Sequence, residues 1–156
     1  MLGRGALIKP WLFREIREDR EWLPTAEERF AVLWRFVELL RDHFGDDERG
    51  RTRTLRFLPW HLGFFCRYRP FPEAEYAEAS RRHPLLQTRP ERDDVASPLD
   101  SLLRDARASV HETLSGELLA SSSREEALER ALRLQATLPA ATEAVETREP
   151  VAEVAG

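Results

Sequence analysis

Residues 25–45, TAEERFAVLWRFVELLRDHFG, contain the clearest structural signal in the chain. Thr25 and Glu28 form the pattern of a capping box: the Thr25 hydroxyl can accept from the Glu28 amide, and the Glu28 carboxylate can reach back. Apolar residues then recur every three or four positions, and Gly45 follows as a plausible C-cap. The stripe consists of Phe30, Leu33, Val37, Leu40 and Phe44. This pattern predicts one amphipathic helix packed on a helical core.

A second helix is predicted over about residues 50–68. Pro59 lies inside it and cannot donate a hydrogen bond to the Leu55 carbonyl, so we expect a kink or a break there. The apolar stripe that should face the core consists of Leu55, Leu58, Leu62 and Phe65.

Two more helices follow from capping signals. Ser97 precedes a proline and then an acid in the first turn, which predicts a third helix ending at Gly116. Ser123 and Glu126 form the pattern of a second capping box, which predicts a fourth helix ending at Pro139.

The remaining stretches carry weaker signals. Residues 69–97 are rich in proline and are interpreted as a connector with at most one short helix near Glu73–Arg82. Residues 139–156 have almost nothing to bury and predict a disordered tail. Because no long alternating apolar and polar run appears, the predicted fold is mainly α, a small bundle of about four helices.

Composition excludes several classes of protein. The chain has 156 residues, 24 Lys and Arg against 28 Asp and Glu, and a formal net charge of −4. It is too short for a complete (β/α)₈ barrel, which needs about 250 residues. The single cysteine, Cys66, excludes an internal disulfide and a CxxC site. The four histidines show no ligand spacing, so no metal is expected. Without a membrane span or a signal peptide, we expect a cytoplasmic protein.

The basic residues are unevenly placed. Residues 49–69 hold six arginines and no acid. Only one of the 24 basic residues is a lysine, which is typical of a GC-rich genome, so the placement of arginine counts for more than its abundance. One face of a straight helix would carry Arg49, Arg53, Arg56, Trp60 and Arg67. Arginine binds phosphate bidentately and an aromatic ring can stack on an exposed base, so this face is a candidate RNA-binding site. The alternative is a solvated helix face.

Three stretches carry a resemblance to a known family. Residues 2–16 read LGRGALIKPWLFREI, residues 53–62 read RTLRFLPWHL, and residues 64–68 read FFCRY. They resemble the tRNA-dihydrouridine synthases, and the last looks like the branch of eukaryotic enzymes that modify a variable-loop uridine. The resemblance is specific over about residues 2–69.

The resemblance implies a two-domain enzyme, an FMN-binding barrel followed by a helical domain that helps hold tRNA. Such enzymes reduce uridine to dihydrouridine in tRNA, with NADPH as the reductant. Residues 1–20 would be the terminal edge of the barrel, a remnant of its last β/α unit, and residues 21–138 the tRNA-binding domain. Gly3 and Arg4 would contact the FMN phosphate. The family's catalytic cysteine lies upstream of the GRG segment at residues 3–5. Cys66 instead lies among aromatic residues late in an apolar helix, so we interpret it as a buried structural residue.

We therefore expect the C-terminal part of a dihydrouridine synthase, either a truncated gene product or one with a mis-set start. Alone it should not be catalytic. One alternative is a stand-alone helical RNA-binding or protein-interaction module. Another is a decaying fragment that self-associates through an exposed barrel edge at Trp11 and Phe13.

Overall fold

The computed structural model describes residues 3–70 and 95–139, and this part of the chain contains seven helices and no strand. The helices are α1 (Gly3–Ile8), α2 (Leu12–Glu18), α3 (Ala26–Phe44), α4 (Glu48–Phe65), α5 (Pro98–Arg104), α6 (Ala108–Ala120) and α7 (Arg124–Thr137). The mainly α fold is confirmed. The barrel remnant stays a prediction, as does the division at residue 20. The short helix at Glu73–Arg82 and residues 140–156 of the predicted tail lie outside the described residues.

Helix α3 has the capping box that the sequence predicts. The Glu28 amide donates to the Thr25 hydroxyl at 3.2 Å, and the Thr25 amide donates to the Glu28 carboxylate at 2.9 Å. Gly45 ends the helix with φ of 88°, a value that favours glycine. Most of the predicted apolar stripe is buried, namely Phe30, Leu33, Val37 and Leu40.

Helix α4 runs through Pro59 without a break, so of the predicted kink or break the break is wrong. Proline removes one intrahelical hydrogen bond, but the buried face of α4 continues on both sides of it with Leu58 and Leu62. Leu55 is 43% exposed, which contradicts its predicted place in the core. The buried face is centred nearer Leu58, and Thr54 takes the position expected for Leu55.

The predicted third helix is two helices. Residues 105–107 separate α5 from α6, and the second continues past Gly116 to Ala120. Asp105 accepts hydrogen bonds from the Arg107 amide and guanidinium, and His111 Nε2 lies 2.7 Å from the Asp105 carbonyl oxygen. Burial of the Asp105 carboxyl opposes its ionisation, but the bonds from Arg107 prevail and lower its pKa. These local bonds stabilise the turn that interrupts the helix.

The predicted starts of the later helices are confirmed. The Ser97 hydroxyl accepts from the Asp100 amide at 3.1 Å, and the Ser123 hydroxyl accepts from the Glu126 amide at 3.2 Å. The second capping box is only half formed, because the Glu126 carboxylate binds the amide and hydroxyl of Ser122 instead of the Ser123 amide.

One arginine joins the C-terminal end of α3 to the C-terminal end of α6. Arg41 lies near the end of α3, and its Nη2 donates to the carbonyls of Leu118, Leu119 and Ser121 at 3.3, 3.1 and 2.6 Å. The guanidinium also stacks over Trp34 at 5.2 Å. Arg41 therefore ties the end of α3 to backbone carbonyls at and just beyond the C-terminal end of α6.

The N-terminal segment packs on the helical core. Trp11 is only 4% exposed, and its ring lies 4.7 Å from Tyr68, 5.7 Å from Trp22 and 6.4 Å from Phe65. The predicted exposure of Trp11 is therefore wrong, because these aromatic rings cover it. Phe13 is 58% exposed, as expected. Among the described helices, none is both long enough and apolar enough to cross a membrane.

Candidate nucleic-acid interface

The first half of α4 presents three arginines on its outer side. Arg49, Arg53 and Arg56 are all exposed, and none forms an ion pair with a residue in the described ranges. Together with Thr52 they line a shallow groove near the start of the helix. Arg51 differs, because its guanidinium binds the Asp46 carboxylate at 3.0 Å. The three stripe arginines therefore have guanidinium groups available for a ligand.

Two acidic residues border this groove. Asp47 and Glu48 line it at the N-terminal end of α4. The Asp47 carboxylate accepts from the Gly50 amide at 2.8 Å and so serves as the N-cap of the helix. Neither Asp47 nor Glu48 forms an ion pair with the three arginines in the described structure.

The second half of the same face is aromatic. Trp60 is 51% exposed and lies between Phe57 and Phe64, with ring centroids 5.4 and 5.0 Å away. The Arg67 guanidinium lies 5.1 Å above the Phe64 ring. Arg67 is beyond the end of α4 at Phe65, so it joins the face through this ring and not through helical periodicity.

Of the predicted site residues, Arg49, Arg53, Arg56 and Trp60 are therefore exposed on α4, and Arg67 lies just beyond its end. Phe57 and Phe64 were not among the predicted site residues. Their spacing from Trp60, three residues before and four after, was the available signal, because residues at such spacings are neighbours on a helix.

Helix α3 supports the aromatic half from beneath. Phe36 lies 6.2 Å from Phe57 and 4.3 Å from the His61 ring. His61 is buried, and burial lowers its pKa, which favours the neutral imidazole at neutral pH. Phe36 thus links Phe57, the neighbour of Trp60, to a buried and uncharged imidazole.

A buried ion pair holds the chain at the C-terminal end of α4. Arg29 Nη1 donates to the Asp100 carboxylate at 2.8 Å, and its guanidinium lies 4.9 Å over Tyr68 and 5.4 Å over Phe65. Burial lowers the pKa of Arg29 to about 10 and raises the pKa of Tyr68 to about 12. Arg67 thus lies between two anchored residues, since Cys66 is also buried.

Cys66 has the environment of a structural thiol. Its Sγ lies 3.6 Å from the Gly63 carbonyl oxygen, and burial raises its pKa. A raised pKa disfavours the thiolate that a nucleophilic role for this residue would require. In residues 3–70 and 95–139 no three His, Cys, Asp or Glu side chains are grouped so as to hold a metal ion.

Gly3 and Arg4 begin α1 and are exposed. The first amides of a helix lack intrahelical partners and can bind phosphate. A Cβ added at Gly3 or Gly5 would meet no atom within 4 Å, so a phosphate could approach this turn. Nothing in the described residues tests the FMN contact, which stays a prediction.

Together, the described residues form a helical domain in which the exposed face of α4 is basic at one end and aromatic at the other. The chain is similar to proteins named tRNA-dihydrouridine(47) synthase [NAD(P)(+)]-like. The Xenopus tropicalis protein is 46% identical over 76 residues, which are 49% of this chain and 12% of the relative. The Mus musculus protein is 49% identical over 70 residues, 45% of this chain and 11% of the relative.

A fungal relative matches a longer stretch. The tRNA-dihydrouridine(47) synthase [NAD(P)(+)] of Coprinopsis cinerea is 41% identical over 103 residues, 65% of this chain and 15% of the relative. The chain thus spans only about an eighth of the length of these relatives. No protein-family model and no solved structure matches it. The matches confirm the resemblance to the dihydrouridine synthases and are consistent with a C-terminal portion of that family.

Proposed function

We propose that this chain supplies the tRNA-binding helical part of a tRNA-dihydrouridine synthase. The observation that carries the proposal is the set of exposed arginines without ion-pair partners in the described structure, Arg49, Arg53 and Arg56. The names of the relatives support tRNA as the substrate.

In this proposal the arginines neutralise backbone phosphates and position the tRNA. A guanidinium can form two parallel hydrogen bonds to one phosphate, which fixes orientation as well as adding affinity. Arg53 and Arg56 are three residues apart and therefore neighbours on the helix surface. Arg67 would extend the contact beyond the helix end.

The cofactors are also part of the proposal. FMN, reduced by NADPH, would supply the hydride that reduces the uridine double bond. Gly3 and Arg4 would contribute contacts to the FMN phosphate through the amides that begin α1. The bracketed NAD(P)(+) in the relatives' names supports a nicotinamide reductant.

The first prediction concerns the salt dependence of tRNA binding. Binding should weaken with salt by roughly 0.7–0.9 log units of affinity per log unit of salt for each phosphate neutralised. Replacing Arg53 and Arg56 with alanine removes two such contacts, so we expect the slope to fall by about 1.5. Titration of a tRNA transcript with the 156-residue chain at several salt concentrations measures this slope.

A double variant with the same loss of charge serves as the control. Arg35 and Arg124 line a cleft between α3 and the start of α7 whose lining includes no residue of α4. Alanine at both positions should leave the slope nearly unchanged. If both double variants changed the slope equally, only net charge would matter and the α4 face would not be the site.

A further inference from the structure

The phosphate contacts proposed above leave the aromatic half of α4 without a role. Single exposed apolar side chains are ordinary on protein surfaces. Here, however, Phe57, Trp60 and Phe64 form a continuous series of ring contacts, and Trp60 in the middle is half exposed. This patch directly follows the stripe arginines along the same side of the helix.

The surroundings of Trp60 hold its ring in place. Phe57 is backed by Phe36 on α3 at 6.2 Å, and Phe64 is covered by the Arg67 guanidinium at 5.1 Å. A side chain restrained by its neighbours loses less conformational freedom when a ligand stacks on it, so more of the contact energy becomes affinity. Trp60 is therefore preorganised to receive a flat ligand.

The charge of the face indicates what that ligand is. Residues 49–69 contain no acid, and Arg56 and Arg53 precede Trp60 by four and seven residues, about 6 and 10 Å along a helix. A positive track beside an aromatic platform is the arrangement that binds single-stranded nucleic acid, where the track holds the backbone and the ring stacks on a base. A base within a duplex is already stacked and cannot use the platform.

We infer that Trp60, restrained by Phe57 and Phe64, is the stacking platform for one unpaired base of the RNA whose phosphates the stripe arginines bind. This inference rests on the proposed function. It adds a requirement for an unpaired nucleotide next to the contacted phosphates. It also predicts that loss of the platform lowers the affinity for tRNA without changing the salt dependence of binding.

The test compares Trp60→Leu with the unsubstituted chain on two probes, a tRNA transcript and a blunt-ended RNA duplex without unpaired nucleotides. Loss of one base–aromatic stack should weaken tRNA binding by about tenfold or more. The salt slope should stay the same, because no charge is removed. Duplex affinity should not change. Trp60→Phe keeps an aromatic ring and should recover part of the loss.

Phe13→Leu is the matched control, because it replaces another exposed aromatic ring, 58% exposed on α2. It should leave the affinity for both the tRNA transcript and the duplex unchanged. Equal tRNA affinity for Trp60→Leu and the unsubstituted chain would overturn the inference and leave the arginine proposal standing. An equal loss on tRNA and duplex would also overturn it, since a stacking role must distinguish them. Absence of salt-dependent tRNA binding by the unsubstituted chain would overturn the proposed function and the inference together.

Discussion

Asp100 lies in the core and binds two arginines. One carboxylate oxygen accepts from Arg29 at 2.8 Å and from Arg104 at 3.0 Å, and the other accepts from the Ala96 amide at 3.1 Å. Both members of the Arg29–Asp100 pair are almost completely buried. A buried charge that loses its partner destabilises the fold much more than a surface charge does.

At this residue scale we predict that Asp100→Asn lowers the free energy of unfolding by about 3 kcal/mol, because it leaves the buried Arg29 charge uncompensated. Urea unfolding followed by circular dichroism measures the change. Asp42→Asn, the same substitution at an exposed position of α3, should change stability by less than about 0.5 kcal/mol. A loss below about 1 kcal/mol for Asp100→Asn would mean that the pair is not buried as described.

At the scale of elements, the backbone at the end of α3 comes very close to Gly50 in the first turn of α4. A Cβ added to Gly50 would lie 2.1 Å from the Gly45 carbonyl oxygen and 2.6 Å from the Phe44 carbonyl oxygen. Both obstacles are backbone atoms, so relief requires the two helices to move apart. Gly63, in the same helix, has no such neighbour within 4 Å.

Gly50→Ala should therefore destabilise the chain by about 1–3 kcal/mol, the usual cost of overpacking. Gly63→Ala should stabilise it by about 0.5–1 kcal/mol, because alanine loses less backbone entropy in a helix. Thermal and urea unfolding of both variants give the two values. Equal effects would show that helix propensity, and not the close approach of the helices, controls position 50.

Element boundaries divide into those that the sequence predicted and those that it did not. Helix α3 was predictable because capping, periodicity and the glycine end all agree. The break between α5 and α6 was not, since the apolar periodicity continues across residues 105–107. The interruption depends on the bonds of Asp105 with Arg107 and on the contact of the Asp105 carbonyl with His111, and a pattern of hydrophobicity does not register such bonds.

At the scale of the whole molecule, the described residues present a basic and aromatic face on α4, and Gly3 and Arg4 lie exposed at the start of α1. We therefore predict that the 156-residue chain alone binds no stoichiometric FMN and forms no dihydrouridine in tRNA. Flavin absorbance after gel filtration with excess FMN tests the first, and mass analysis of nucleosides from treated tRNA tests the second. Bound FMN would contradict the first prediction, and dihydrouridine formation would contradict the second and show that the chain contains a complete active site.

The candidate site was predictable in part. Arg49, Arg53 and Arg56 follow from helical spacing and from the absence of acids within residues 49–69, two properties of local sequence. The ring contacts of Phe57 and Phe64 with Trp60 also follow that spacing, but whether Phe57 would be buried depends on where α3 lies. Arg67 could not be placed by periodicity, because α4 ends before it.

The sequence by itself determined the helical class, the starts of α3, α5 and α7, and the arginine spacing, because capping and periodicity are local properties of the chain. Only the tertiary structure decided which side of α4 is buried. Packing on α3 and α6 exposes Leu55 and leaves Trp60 on the surface. It also buries Trp11 against Tyr68 and brings Arg29 to Asp100, 71 residues apart in sequence. Such contacts depend on how the helices pack together, which no local pattern specifies.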